Sequence, residues 1–459
     1  MSKSPHHSGI SVTLALLAGL LIFSAANINW APNRWPGLIK ADARGYFAYL
    51  PAIFIYQDLN FGFFDEVEGV IPNTAHLSQD YRNQVEGKII NQYFFGTALT
   101  QTPFFLIGHG WERLFGTNRT GYSKIHFIAV QLGAICYLLW GMWLIQALLA
   151  TYRIEPVWRI LIVIAFVLGT NAFYYAVCEP GYSHLYSLAF VAAFAYWSKR
   201  FFASWDHRYV WGAAFAWGMI VLIRPINGLV GLTLLIWAGN WENLQKAGQY
   251  LIDNRLKTLI ALAIALGIPF LQLAIYKIQT GHWIVYSYGS AGFNWLDPHI
   301  VDVLFSYRKG LFIYTPLAFL SLWGLGPLFH QYRFATISLL SFLAMLTYVL
   351  AAWEFWDYGG SFASRVYIEY YPLFALPLAF GLQFLRRPWL SKLMLGLMIV
   401  LVLVCQIQTY QYRYNHIHWS EMNKERYWDV FLRIDRIWWP DRDAGATLGE
   451  SIKTEIYAA

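Results

Sequence analysis

The chain has 459 residues, 58% of them hydrophobic and only 13% charged, with a mean hydropathy of +0.40. Soluble domains carry roughly 25% charged residues, so half that fraction excludes an ordinary soluble fold and points to a polytopic membrane protein. A net charge of +7 would suit nucleic acid, but the basic clusters fall between apolar runs, which reads as membrane topology, and nucleic acid is set aside as a partner.

Residues 10–30 follow a short polar N-terminus, lack a clear small-residue cleavage site, and read as a retained first span. The region 31–122 is too polar to be membrane throughout. Within it, 43–57 and 91–115 are semi-apolar and read as helices lying along the interface. Between them Asp58–Lys88 reads as a polar loop carrying Asp65, Glu66, Glu68, Asp80 and Glu86. Apolar runs then recur at 124–150, 160–178, 184–198, 209–223, 226–240, 258–276, 311–329, 334–352, 368–385 and 393–410. With the first span this predicts an all-α protein of about eleven transmembrane helices, by windows of roughly 20 residues. Arg224-Pro225 interrupts 209–240, which is either two spans or one broken helix. A membrane domain over 1–410 and a tail over 411–459 complete the expected organisation. The 22 Trp and 31 Tyr fit many membrane interfaces. Cys136, Cys178 and Cys405 have no metal-type spacing and read as packed thiols.

Charge fixes an expected orientation. With the N-terminus cytoplasmic and 43–57 and 91–115 not spanning, the inner segments hold Lys3, Arg153, Arg159, Lys199, Arg200, Arg208, Lys246, Arg255, Lys257, Arg333, Arg386, Arg387 and Lys392. The short outer loops hold only Arg224 and Arg365, the asymmetry of the positive-inside rule. Making 91–115 a span would reverse every later loop and destroy it. On the outer side this places 31–122, Cys178–His184, Arg224, 278–310, 353–367 and the tail. No internal repeat is apparent, which weighs against inverted-repeat transporters.

Four groups on that side could carry chemistry. Lys40-Ala-Asp-Ala-Arg-Gly-Tyr46 puts Asp42 and Arg44 at a membrane boundary, where charge is costly unless compensated. Asp42 is the candidate catalytic carboxylate, with Arg44 and Tyr46 as substrate contacts; the plain alternative is an Asp42–Arg44 ion pair anchoring the loop. Glu179 and His184 flank a short Pro-Gly turn. Glu179 has no adjacent cation in sequence, whereas a His beside an apolar helix is commonly structural. Lys88, Arg224, Arg308, Lys309 and Arg365 could bind phosphate oxygens, although one of the Arg308/Lys309 pair could simply snorkel. Finally, Trp353-Glu354-Phe-Trp-Asp357 offers aromatic faces and carboxylates suited to a sugar ring; the alternative is an aromatic belt with a turn. P-loop, Rossmann, HExxH and GxSxG motifs are absent.

The layout resembles the GT-C glycosyltransferases. Asp42-Ala-Arg-Gly-Tyr-Phe stands where that family has Asp-Glu or Asp-Tyr. Tyr93-Phe-Phe-Gly through Thr102-Pro-Phe-Phe105 is similar to its proline-bearing interfacial helix. Lys88 resembles its donor-phosphate lysine, and Glu179 matches a second outer-loop acid. Leu222-Ile-Arg-Pro-Ile-Asn227 and Gly359-Gly-Ser-Phe-Ala-Ser-Arg365 look like motifs of bacterial members. The resemblance implies a polyprenyl-phosphate sugar donor, a glycan, lipid or protein acceptor, membrane lipid around the site, and a bacterial inner membrane with the site periplasmic. It implies inverting transfer with Asp42 as general base. A divalent metal is a further expectation, weakened because Ala43 replaces the usual second acid. Two other classes remain in view: a lipid-linked glycan flippase and a non-catalytic assembly subunit.

Overall fold

The computed structural model describes residues 5–64, 67, 81–116 and 118–435. Asp65, Glu66, Glu68 and Asp80 of the polar loop, and the tail beyond 435, lie outside the described residues. Helix α1 (Pro5–Asn29) is followed by a 3-10 turn at Trp35–Leu38 and by α2 (Asp42–Pro51). The polar loop ends in an antiparallel hairpin, β1 (Arg82–Val85) and β2 (Lys88–Asn91), paired Arg82 to Asn91 and Val85 to Lys88. The all-helical expectation missed it. Its turn signal is Glu86-Gly87, both at positive φ (51° and 77°), the backbone that a two-residue hairpin turn requires.

Helices α3 (Gly96–Phe115), α4 (Lys124–Thr151), α5 (Pro156–Leu168), α6 (Ala172–Val177), α7 (His184–Ser204) and α8 (His207–Ile223) follow. Here Pro225 decides what 209–240 becomes. A residue before proline is pushed out of the helical region, and Arg224 is extended (φ −150°, ψ 106°). The chain continues as a 3-10 run, Pro225–Thr233, and short α9 (Leu234–Ala238), so the second half is not one regular span. Then come α10 (Trp241–Asp253), α11 (Arg255–Thr280), α12 (Ile300–Phe305), α13 (Leu311–Tyr314), α14 (Pro316–Leu322), α15 (Leu325–Gln331) and α16 (Arg333–Ala351). A 3-10 turn at Arg365–Tyr370 leads into α17 (Tyr371–Gln383), α18 (Pro388–Arg413) and α19 (Lys424–Val430).

Among the described residues, five helices are long and apolar enough to cross a membrane: Gly9–Asn29, Lys124–Thr151, Arg255–Thr280, Arg333–Ala351 and Pro388–Arg413. The run 311–329 is three short helices because Pro316 and Gly324 interrupt it. Of the thiols, Cys178 and Cys405 are buried and Cys136 lies on an exposed face of α4.

Segments distant in sequence meet at one end of the bundle. Asn29 Nδ2, at the end of α1, donates to the Val177 carbonyl (2.5 Å), and Arg413, at the end of α18, reaches the Ile28 carbonyl (3.3 Å). The β1–β2 hairpin docks through Asn83 Nδ2 to the Ser287 carbonyl (2.7 Å). Ser287 Oγ in turn donates to the Gln92 carbonyl (2.8 Å). The loops 281–299 and 353–365 are joined through Asn294 N to the Ala352 carbonyl (2.6 Å) and Glu354 N to the Gly292 carbonyl (3.0 Å). Tyr427 of α19 packs edge-on to Tyr314 at 5.7 Å.

A candidate active site under the interhelical loops

Beneath those loops is a cavity of about 650 Å³ whose wall includes Asp42, Tyr46, Tyr93, His184, Arg224 and Arg365. Trp353 and Asp357 also belong to it. Sequence positions more than three hundred residues apart therefore share one chamber.

Asp42 opens α2, and the residue before it is strained: Ala41 has φ 47° and ψ −130°, a conformation costing on the order of 1–3 kcal/mol. Asp42 Oδ2 accepts from Arg365 Nη2 at 2.7 Å, and Oδ1 accepts from the Tyr93 hydroxyl at 3.0 Å. Burial, with the Asp42 carboxylate second, raises the Tyr93 phenol well above its usual range, so it stays protonated and donates. Tyr93 reaches this position because residue 45 is glycine; a Cβ there would stand 2.3 Å from the Tyr93 ring.

The alanine at 43, where the resemblance led to the expectation of a second acid, has a steric explanation. Ala43 is fully buried, and a Cβ on Gly181 would come within 2.6 Å of the Ala43 methyl. The turn 179–184 thus lies directly on α2, where no carboxylate fits. Among the described residues the carboxylates on the cavity wall are Asp42 and Asp357, and each faces an arginine. Among the described residues no group of three or more His, Cys, Asp or Glu is placed to hold a metal ion. Two carboxylates, each already paired with an arginine, do not make a divalent-ion site among the described residues.

A second charged cluster on the chamber side joins Glu369 and His184, both buried, to the part-exposed Arg224. Glu369 Oε1 lies 3.2 Å from Arg224 Nη1 and 3.1 Å from His184 Nδ1, and Arg224 Nη1 is 3.0 Å from the same His184 nitrogen. Glu369 is fully buried. It anchors Arg224, whose extended backbone at the end of α8 aims the guanidinium at the chamber. The aromatic wall adds Phe94, Tyr288 and Phe293.

Several predicted site residues are placed elsewhere. Arg44, two positions after Asp42, falls on another face of α2, as i and i+2 must on a helix. It is buried and lies 5.4 Å over the Phe64 ring, so the Asp42–Arg44 pair does not form. Glu179 does have a cation: Lys40 Nζ is 3.0 Å from Oε1, which also accepts from the Tyr174 hydroxyl (3.0 Å). That pair ties the segment before α2 to the turn, and Glu179 is not on the cavity wall. Lys88 starts β2, exposed and away from the wall.

Arg308 is engaged with Asp357. Lys309, 2% exposed, donates to the Gly359 carbonyl (2.9 Å), the Ser361 hydroxyl (2.9 Å) and the Ser361 carbonyl. Burial, and secondarily Arg365, pushes its ammonium well below the lysine range. The Arg308/Lys309 pair therefore straps the 357–361 loop instead of facing the chamber. Glu354 Oε2 accepts from Gly292 N at 3.2 Å, joining the loops 281–299 and 353–365. Tyr93 and Glu369 were not among the sequence-derived site residues. Only an ionisable residue inside the apolar run 368–385 signalled Glu369, and Tyr93 gave no signal apart from adjoining the interfacial helix.

A second cavity of about 1000 Å³ is almost wholly apolar, lined by residues such as Phe194, Trp217, Leu229, Leu244 and Leu251. Pro225, Ile226 and Val349 belong to both walls.

No family model and no curated protein matches the chain. Several solved structures are similar to it, two of them as follows. One is the archaeal oligosaccharyltransferase AglB from Archaeoglobus fulgidus, in complex with an inhibitory peptide and a dolichol-phosphate. It shows 10% identity over 94% of this chain and 61% of that one, with a TM-score of 0.52. The other is ArnT from Cupriavidus metallidurans bound to undecaprenyl phosphate, with 13% identity over 89% of this chain and 67% of that one and a TM-score of 0.49. This chain thus spans about three fifths of AglB's length. The fold is similar to that of the membrane-embedded oligosaccharyltransferase AglB. With five membrane-length apolar helices, the chain is a multi-pass membrane protein.

Proposed function

We propose that the chain is a membrane glycosyltransferase that moves a sugar from a polyprenyl-phosphate-linked donor to an acceptor hydroxyl in this chamber. The observation that carries the reading is the meeting of Asp42, Arg224, Arg365 and an aromatic wall in one cavity that adjoins a large apolar one. A lipid-linked sugar has three parts of different chemistry. An apolar cavity suits its hydrocarbon, arginine its phosphate, and aromatic faces beside hydrogen-bonding groups its sugar.

In the reaction the acceptor oxygen attacks the anomeric carbon while the carbon–oxygen bond to phosphate breaks. Asp42 takes the hydroxyl proton, and the bonding pair leaves with the polyprenyl phosphate. Attack opposite the phosphate inverts the anomeric centre. General base catalysis contributes typically 10²–10⁴-fold, and Arg224, preorganised by Glu369, stabilises the charge developing on the leaving phosphate. Trp353 and Tyr46 contact the sugar. The donor-phosphate role rests on Arg224 and Arg365, with Lys88, Arg308 and Lys309 outside the chamber. We place the N-terminus inside on the distribution of Lys and Arg, and the protein in a bacterial inner membrane on its resemblance to the GT-C glycosyltransferases.

The test is mass spectrometry of envelope glycans in cells with and without the gene. A glycan that loses one sugar on deletion and regains it from the plasmid-borne gene supports the reading; an unchanged glycan profile refutes it.

A further inference from the structure

We propose that Arg365 masks Asp42 until an anion enters the chamber, so that the carboxylate is released for base chemistry only once the phosphate of the donor has arrived. The proposal deepens the reading of Asp42 as the base and rests on it.

In the structure both Asp42 oxygens are engaged, Oδ2 by Arg365 and Oδ1 by Tyr93. The two partners differ in how firmly they are held. Tyr93 is wedged against Gly45 and stays protonated, so it keeps Asp42 oriented throughout. Arg365 is poorly satisfied. Of its five N–H donors only Nη2 has a hydrogen-bond partner given by the geometry, while Nε and Nη1 are buried without one among the described residues. Its guanidinium lies 4.7 Å over the Tyr182 ring.

A buried donor left unpaired loses its hydration without a compensating bond. A phosphate, with several acceptor oxygens, can take two guanidinium donors at once. Exchange of one carboxylate bond for a bidentate phosphate contact is therefore favourable for Arg365. Arg224 differs in this respect, because the buried Glu369 carboxylate already holds it. One wall arginine is thus a fixed anchor and the other is a movable one.

The backbone supports a side-chain movement. Lys309 secures Gly359 and Ser361 just upstream, and the turn at Arg365–Tyr370 leads directly into α17. With Arg365 turned to the phosphate, Oδ2 is free to take the proton of the acceptor hydroxyl as its oxygen forms the new glycosidic bond and the old bond to phosphate breaks. Without donor, water or acceptor meets a carboxylate already paired. Donor binds first, and idle hydrolysis is suppressed.

The experiment follows the rate at which a water-soluble carbodiimide and an amine modify Asp42 in the full-length protein in detergent, read by peptide mass spectrometry. It is run without ligand, with undecaprenyl phosphate and with inorganic phosphate; lipid retention on the protein is measured in parallel. Release should raise the Asp42 rate about tenfold, the factor that about 1.4 kcal/mol of lost pairing gives. Acceleration by the lipid alone assigns the trigger to the lipid headgroup, and acceleration by both assigns it to phosphate generally. Arg365→Gln should react fast from the start and ignore either ligand. Arg365→Lys, which keeps the charge, replaces it in the comparison if Arg365→Gln does not fold, and should show a reduced response. Bound lipid with an unchanged or slowed Asp42 rate overturns the masking while leaving the proposed function standing. Failure of the lipid to bind overturns both.

Discussion

Glu369→Gln tests the anchor of Arg224 with almost no change in shape. The two charges are 3.2 Å apart and Glu369 is fully buried, whereas the Arg224 side chain keeps 17% exposure toward the chamber. At an effective dielectric of about 20, opposite unit charges at that distance attract by about 5 kcal/mol. Removing one partner of a buried pair typically costs about 3–5 kcal/mol, because the other charge is left uncompensated. Arg224's access to the chamber puts the expected loss at the lower end, about 3 kcal/mol. The glutamine oxygen can still accept from His184, so the charge is what changes.

Thermal unfolding followed by tryptophan fluorescence in detergent should show a clear drop in midpoint for Glu369→Gln. Adding Arg224→Met should recover part of it, since the stranded guanidinium is then gone. The coupling should lie within the range of about 0.5–3 kcal/mol found for contacting residues. An unchanged midpoint for Glu369→Gln, or a double variant less stable than Glu369→Gln, would refute the anchoring role.

Tyr93→Phe removes the hydroxyl bonded to Asp42 but keeps the ring. A hydrogen bond to a charged group is worth about 1.5–3 kcal/mol, so kcat should fall about 10–100-fold with little change in donor KM; steady-state kinetics decide it, and a change confined to KM would count against orientation of Asp42. Lys88→Ala should leave donor affinity nearly unaltered, whereas Arg224→Lys weakens it at least tenfold, the loss of a bidentate contact worth about 1.4 kcal/mol; equal effects in lipid-binding titrations would restore Lys88 as a phosphate ligand. Lys309 has a folded-state pKa below its unfolded value, so between the two the unfolded chain binds more protons and stability rises with pH. Relative to Lys309→Met, the wild-type unfolding midpoint should therefore climb between neutral pH and about pH 10, and parallel curves would show that burial does not perturb Lys309.

What the sequence disclosed, and what it withheld, follows from the physics of each signal. Apolar runs and the Lys/Arg bias are one-dimensional; they suggest a common face for Asp42, His184, Arg224, Trp353 and Arg365, and the structure lines one cavity with these five. The partner of a charge is not one-dimensional. Glu179 lacked a neighbouring cation in sequence, yet Lys40 meets it through the turn that Gly181 presses onto α2. Arg308 and Lys309 read as phosphate ligands because their acceptors, Asp357 and the carbonyls of Gly359 and Ser361, are about fifty residues away. The hairpin was missed because two four-residue strands leave little periodicity, although Glu86-Gly87 carried its turn. The break at Pro225 was visible in advance, but only its consequence, the aim of Arg224, gives it a role.

The most direct test of the central claim is single-turnover sugar transfer by the purified protein and by Asp42→Asn, with bound donor quantified in the same samples. The account predicts that Asp42→Asn retains the polyprenyl-linked donor but transfers sugar at least 100-fold more slowly, the lower bound for losing a general base. Transfer at the wild-type rate with donor bound would contradict it.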